Sequence, residues 1–439
     1  MRLISFLTLS FIAFSQNAEL TAKLDKVADA YAKNRQFIGT VLVAKGGKVL
    51  LEKGYGMANI ELDVPNAPDT RFRLGSITKQ FTSTAILQLQ EQGKLSIDDL
   101  ACKYIDSCPE TWKSITIRQL LTHTSGIPSY TGMPEFPKPK FMRQPLTPIE
   151  VLMLSKDKPL DFPPGTSFKY DNSGYVFLGV IIEKASGEKY ADYLTKHVFG
   201  PLDMQDSGYD VTTTVMKHRA AGYTPAGKDT FKNAEYLDMS LPYAAGSLYS
   251  TVRDLYRWDR SLYTNKLLSN ASKEAMWTPV KNNYAFGWMV SPMQDHKQVG
   301  HGGGINGFAT YIGRFPEDDA TVIVLSNNQA GPAQAVASAL AGILFKGSVE
   351  LPWERKEVSL DSKILDQYVG TYPVGPLEIK VTNEDGHLMV HPKGQAKLEA
   401  FASSEKEFFL KAVEATLTFD GDTLTLKQGG STLSGKRTP

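Results

Sequence analysis

Cysteine is nearly absent from this chain: two in 439 residues are too few for a disulfide scaffold to hold it together. An excess of one charge is missing as well, because 48 Lys and Arg stand against 47 Asp and Glu, for a net +1, and no Lys/Arg run breaks the even spread. Without a basic face there is no field to hold a polyanion, which excludes nucleic acid as a partner. Beyond the N-terminus no stretch approaches twenty apolar residues, so no transmembrane segment is expected. Internal repeats and low-complexity segments are lacking, and a hydrophobic content of 42% excludes disorder. What remains is a globular protein too long for one ordinary core of ~100–200 residues, so two domains are expected.

The N-terminus carries one cation (Arg2), an apolar run over residues 3–14, and small Ala13 and Ser15 placed as a cleavage site. Residues 1–15 therefore read as a secretory signal peptide, and the protein is expected in the periplasm or outside the cell. In that oxidising setting Cys102 and Cys108, within CKYIDSC, are expected to close a small loop as a disulfide worth about 2 kcal/mol. Neither thiol has surroundings that would lower its pKa and make it a nucleophile.

Periodicity organises the rest. Residues 19–33 have helical spacing, and 39–56 alternate about Gly46-Gly47 as a β-hairpin. Residues 76–92 read as a helix with Ile77, Phe81, Ala85 and Leu89 on one face and Gly93 as its stop. Helical patterns recur at 117–122, 148–154, 175–185, 190–198 and 251–263, strand patterns at 285–290, 309–315 and 321–325, and a last helix at 333–345. Strands at both ends around a helical insert predict an α+β domain over residues 16–347, its terminal segments sharing one antiparallel sheet flanked by helices. A charged, Pro-containing linker follows at 348–360. Residues 361–439 then form short alternating runs (377–381, 387–391, 396–401, 407–410, 415–419, 423–427) broken by Gly turns, which predicts a small all-β barrel or sandwich.

Ser76-Ile77-Thr78-Lys79 is a Ser-x-x-Lys, a pattern also present at Ser155/Lys158, Ser186/Lys189 and Ser403/Lys406. Context selects among the four copies. The chemistry needs a hydroxyl at a helix N-terminus and an amine one turn later on the same face, and only Ser76 precedes a long helical pattern. Lys79 then serves as proton acceptor if burial or a neighbouring cation lowers its pKa. Tyr170-Asp171-Asn172 follows a Pro163-Pro164-Gly165 turn; a phenol there can pass a proton to the leaving group, and an amide can fix Lys79 and bind a substrate carbonyl. His301-Gly302-Gly303-Gly304 leads into a strand pattern, and its glycines let a strand edge approach substrate, with the Gly304 N–H pairing that of Ser76 as an oxyanion hole. A lipase-type hydrolase is excluded because no Gly-x-Ser-x-Gly elbow accompanies the His-Gly-Gly-Gly. The seven His do not cluster with Cys, so no metal is expected.

In the order Ser76-x-x-Lys79, Tyr170-x-Asn172, His301-x-Gly303, the chain resembles the serine β-lactamase-like superfamily, on the side of class C β-lactamases, D-aminopeptidases and related esterases. Segments such as ITIRQLLTHTSGIP, AAGSLYSTVRDLYRW and GHGGGINGF extend the likeness over roughly residues 35 to 330. The resemblance implies the β-lactamase/transpeptidase fold with a helical subdomain. It implies Ser76 as acyl-forming nucleophile, Lys79 as its proton acceptor, Tyr170 as partner acid/base, Asn172 as orienter, His301 and Gly303 on the substrate-binding edge, and Ser76 and Gly304 amides as the oxyanion hole. No cofactor is implied. The tail is similar to the lipocalin-like barrel appended to some of these hydrolases. β-Lactamases and DD-carboxypeptidases usually have Lys-Thr-Gly or Lys-Ser-Gly where this chain has His301-Gly302-Gly303. The departure favours a small-molecule or peptide substrate with an amide, D-configured peptide or ester bond, cell-wall-derived ones included; a β-lactamase or DD-carboxypeptidase is one alternative and an inactive binding or sensing relative is the other. No oligomeric state is implied.

Overall fold

The structure is a computed structural model that describes residues 4–34, 37–227, 230–375, 377–394, 397–411, 415–428 and 431–438. Arg2 and Leu3 of the expected leader, and residue 396 of one expected strand, lie outside the described residues. The chain divides into two compact units, the first ending at Leu344 and the second beginning at Phe345.

In the first unit, β1 (Gly39–Lys45) and β2 (Lys48–Tyr55) are the expected hairpin. They join β3 (Met289–Met293), β4 (His296–Ile305), β5 (Phe308–Phe315) and β6 (Ala320–Ser326) in one sheet of order β3-β4-β5-β6-β1-β2. The two ends of the domain meet at β1 and β6, antiparallel, with Val41 opposite Val324. Every residue of β6 is buried, the continuous apolar texture of a strand covered on both faces. Two expectations are corrected here. Strand pairing in the 285–290 region starts only at Met289, because Gly287 is left-handed (φ +77°) and backs onto the Lys79 carbonyl. The glycine-rich stretch around His301 is itself part of a strand, β4: its low strand propensity is overridden by pairing with β5 along residues 299–305, while the pairing with β3 ends at Gly300 and leaves residues 301–304 with one free edge.

Helix α1 (Ile4–Lys33) includes the expected 19–33 helix and packs on β2. At the centre lies α2 (Thr78–Glu91), buried from Thr78 through Leu89 on all sides rather than on one face. Its polar side chains must therefore find partners: Thr82 Oγ1 donates to the Ala244 carbonyl at 2.7 Å, and Thr84 Oγ1 to the Gln80 carbonyl at 2.9 Å. Against α2 packs α3 (Asn172–Ser186), capped by the Asp171 carboxylate at its start and by left-handed Gly187 at its end. Cys102 and Cys108 are joined in a disulfide, with Cα atoms 5.5 Å apart.

The second unit is an eight-stranded antiparallel barrel in simple sequence order, from Gly370–Val374 to Ser431–Lys436. Thr371 pairs with Thr438 to close it. Buried Tyr372, Phe408, Leu417 and Phe419 fill the interior, with Tyr368 stacked on Phe419 at 4.4 Å. The first and last strands went unread in the sequence, where Pro373 and Gly435 interrupt the alternation.

Candidate active site

Residues 75–77 form a single 3-10 turn that leads directly into α2. Two ties hold the approach to it: the Leu74 N–H donates to the Leu248 carbonyl at 2.8 Å, and Thr310 Oγ1, from β5, donates to the Leu74 carbonyl at 2.7 Å. Ser76 is half-buried while residues 74–75 and 77–89 are buried, so the turn offers one hydroxyl outward. Its Oγ lies 3.0 Å from Lys79 Nζ, one turn along.

Lys79 is fully buried. Its ammonium position is set by three acceptors: Ser76 Oγ, Asn172 Oδ1 at 2.8 Å and the Ala245 carbonyl at 2.8 Å. The Tyr170 and Tyr175 rings lie 4.9 and 5.3 Å from Nζ. Burial lowers the Lys79 pKa to about 7, against the opposing pull of Asp171. Near neutral pH an appreciable fraction of this amine is unprotonated and able to accept a proton.

Asn172 is the first residue of α3, so helix capping places its side chain. While Oδ1 accepts from Lys79, Nδ2 donates to Thr131 Oγ1 at 3.1 Å and the backbone N–H donates to Ser129 Oγ at 3.1 Å. The amide orientation is thereby fixed. Tyr170 precedes the cap. It is 36% exposed as a whole, but its hydroxyl is enclosed and interacts with Ser76; burial pushes the phenol pKa up, and the Ser76 hydroxyl works against that rise. Asp171, the cap itself, accepts from the Gly174 N–H at 3.0 Å, and burial raises its pKa to about 7.

From the sheet side, β4 brings its glycines against the Ser76 turn. A Cβ on Gly303 would sit 1.9 Å from the Leu74 carbonyl oxygen, so only glycine fits there. Gly304 borders open space on its own Cβ side, while its backbone nitrogen lies 3.0 Å from where a Cβ on Gly75 would be. His301 is buried rather than presented to a ligand: Nδ1 meets the Gly302 carbonyl at 2.6 Å and Nε2 meets Tyr284 Oη at 3.1 Å. Burial, then Lys79, lowers its pKa to about 4, so the ring is neutral.

Ser76, Lys79, Tyr170, Asn172, His301, Gly303 and Gly304 thus surround one place. Three contributors escaped the sequence reading: the Ala245 carbonyl, Thr131, and His123, whose ring lies 4.3 Å from that of Tyr170. No spacing rule announces a backbone carbonyl or a lone His. Among the described residues no group of three or more His, Cys, Asp or Glu is placed to hold a metal, and no helix is long and apolar enough to cross a membrane. His387 and His391 stand four apart, but on a strand of the barrel, where His387 pairs with Glu399.

The Beta-lactamase family model matches residues 24–344. Penicillin-binding protein 4* of Bacillus subtilis (strain 168) is 32% identical over 424 residues, spanning 90% of this chain and 93% of its own. The octameric penicillin-binding protein homologue from Pyrococcus abyssi superposes with a TM-score of 0.69 at 28% identity, covering 94% of this chain and 99% of that one. The D-stereospecific amidohydrolase from Streptomyces sp. gives 0.64 at 24% identity over 75% of this chain and 99% of its own, a likeness of fold.

Proposed function

The chain belongs to the beta-lactamase family of serine hydrolases, and from that membership we propose that it forms an acyl-enzyme on Ser76 and cleaves amide, peptide or ester bonds. One observation carries the reading: a buried amine with a pKa of about 7 stands 3.0 Å from a serine hydroxyl at a helix start. Neutral Lys79 takes the Ser76 proton as Oγ attacks the substrate carbonyl carbon, and the carbonyl oxygen becomes an oxyanion facing the Ser76 and Gly304 N–H groups. As the tetrahedral intermediate collapses, Tyr170 gives its proton to the leaving nitrogen or oxygen and recovers one from Lys79. Water attacks the acyl-enzyme by the same relay reversed and releases the acid.

For the substrate, a neutral His301 with both ring nitrogens engaged offers no cation to a carboxylate, which favours amides, esters and peptides without a carboxylate at that position over carboxylate-bearing ones; a D-configuration is what the resemblance to D-aminopeptidases adds. The 32% identity to a penicillin-binding protein favours a second reading, acylation by penicillin with β-lactamase or DD-carboxypeptidase turnover. The N-terminal leader reading makes the protein an exported one acting on cell-wall-derived peptides. The test labels wild type and Ser76→Ala with a fluorophosphonate and a fluorescent penicillin, then compares nitrocefin, a D-Ala-D-Ala peptide, D-Ala-p-nitroanilide and p-nitrophenyl esters. Labelling that survives Ser76→Ala, or none in wild type, rejects the acyl-enzyme.

A further inference from the structure

Tyr170 lies in a segment with no regular secondary structure just ahead of α3, yet the proton transfers above require its hydroxyl to keep one position. One buried residue from a distant stretch of chain touches this segment in three ways. The backbone carbonyl of His123 accepts from the Lys169 N–H at 3.1 Å. Its Nδ1 accepts from the Asp171 N–H, also at 3.1 Å. Its ring lies against that of Tyr170, centroids 4.3 Å apart at 40°. The two hydrogen bonds straddle Tyr170 in the sequence, and the ring contact falls between them.

His123 has a left-handed backbone, φ +55°, which non-glycine residues seldom adopt. With that turn its carbonyl and its imidazole address the same segment. The ring is itself hemmed by Tyr284 at 4.6 Å, Tyr175 at 5.1 Å and Phe168 at 6.0 Å, and the residue is 1% exposed. The demands on the residue type are specific. Phe would stack without accepting a hydrogen bond, Asn would accept without stacking, and only an imidazole unprotonated at Nδ1 does both.

We propose that His123 is the positioning residue for Tyr170, gripping the backbone on both sides of it and backing its ring so that the phenol stays against Ser76; this rests on the acyl-enzyme reading. His123→Gly relieves the left-handed backbone while removing ring and acceptor together. His123→Asn tolerates the same backbone and returns an oxygen where Nδ1 stood. In His123→Gly, acylation of Ser76 by the fluorophosphonate, per mole of folded enzyme, is expected to fall about tenfold or more, and kcat on a p-nitrophenyl ester with it, while KM moves less than about threefold. His123→Asn, which restores the acceptor but not the ring, is expected to recover part of that loss. A glycine variant within about twofold of wild type in kcat, or an asparagine variant no better than glycine, overturns the proposal. Crystal structures of wild type and His123→Gly supply a readout independent of turnover: displacement of Tyr170 by about 1 Å is expected, and an unmoved ring overturns the proposal. If wild type is never labelled at Ser76, the hydrolase reading fails, and the position of Tyr170 still decides the role of His123.

Discussion

The backbones of Gly75 and Gly304 touch: a Cβ on Gly75 would lie 3.0 Å from both the nitrogen and the carbonyl oxygen of Gly304. Gly75 also has φ +55°. Both facts forbid a side chain, and both arise because the turn carrying Ser76 is pressed against the edge of β4. Gly75→Ala is therefore expected to separate the Ser76 and Gly304 amides that are proposed to face the oxyanion. Loss of one such donor costs about 100-fold or more in kcat elsewhere, so a drop of that order is expected, together with a stability loss of about 1–3 kcal/mol from backbone strain. Denaturant unfolding and acylation rates measured together check this; full activity would mean that the contact does not shape the site.

In the proposed mechanism Lys79 sets the pH dependence. Its folded pKa is lowered from 10.5 to about 7, so kcat/KM should rise with pH through about 7 as the amine loses its proton. The stability consequence has a definite sign. Between about 7 and 10.5 the unfolded chain holds a proton at this position that the folded chain lacks, so stability gains with rising pH across that window. Below about 7 both states are protonated, and the folded state carries the full cost of a buried cation. Lys79→Met should abolish turnover and raise the melting temperature, more at pH 6 than at pH 10, as scanning calorimetry would read. A wild-type profile flat through pH 7 would contradict the assignment of Lys79 as base.

How much of this was legible in the sequence depended on spacing. Ser76 and Lys79, three apart at the head of an apolar-periodic run, are a local relationship, and the helix delivers it without help from the rest of the chain. Tyr170 and Asn172 were legible as a pair because a Pro-Pro-Gly turn marks the loop before them. The helix cap at Asp171 was not read, although it is what aims Asn172. The strand β4 was hidden by its own glycines, which weaken any local signal and are needed so that Leu74 and Gly75 can approach. His123 and the Ala245 carbonyl were beyond reach of pattern reading, since each acts through long-range contact with a single partner segment. The barrel was recognised from its Gly turns, whereas its first and last strands are defined by closure, a property of the whole sheet.

The Cys102–Cys108 bond closes a loop far shorter than the domain and lies outside the group of residues around Ser76. The loop-entropy model gives about 2 kcal/mol for so short a ring. Replacing both cysteines with serine should lower stability by about that amount, with kcat within about twofold of wild type. Urea unfolding and an ester assay suffice to check both halves, and a large loss of kcat at unchanged stability would tie this loop to the active site.

His301 stands where β-lactamases and DD-carboxypeptidases usually carry a lysine, and its surroundings decide what it contributes. With Nδ1 on the Gly302 carbonyl and Nε2 on Tyr284, it has no ring nitrogen left for substrate. Its pKa of about 4, lowered by burial and by Lys79, places any titration well below the usual range for histidine. No acid limb from His301 is thus expected in the usual histidine range, and a limb near 7 is the one proposed for Lys79. His301→Gln retains an amide that can bond Tyr284, so its kcat/KM profile from pH 5 to 9 should have the shape of wild type, reduced by about tenfold or less. If this variant instead lost an ionisation between pH 6 and 7, His301 would have to be charged in the working enzyme, and the neutral-substrate preference argued from its burial would fall with it.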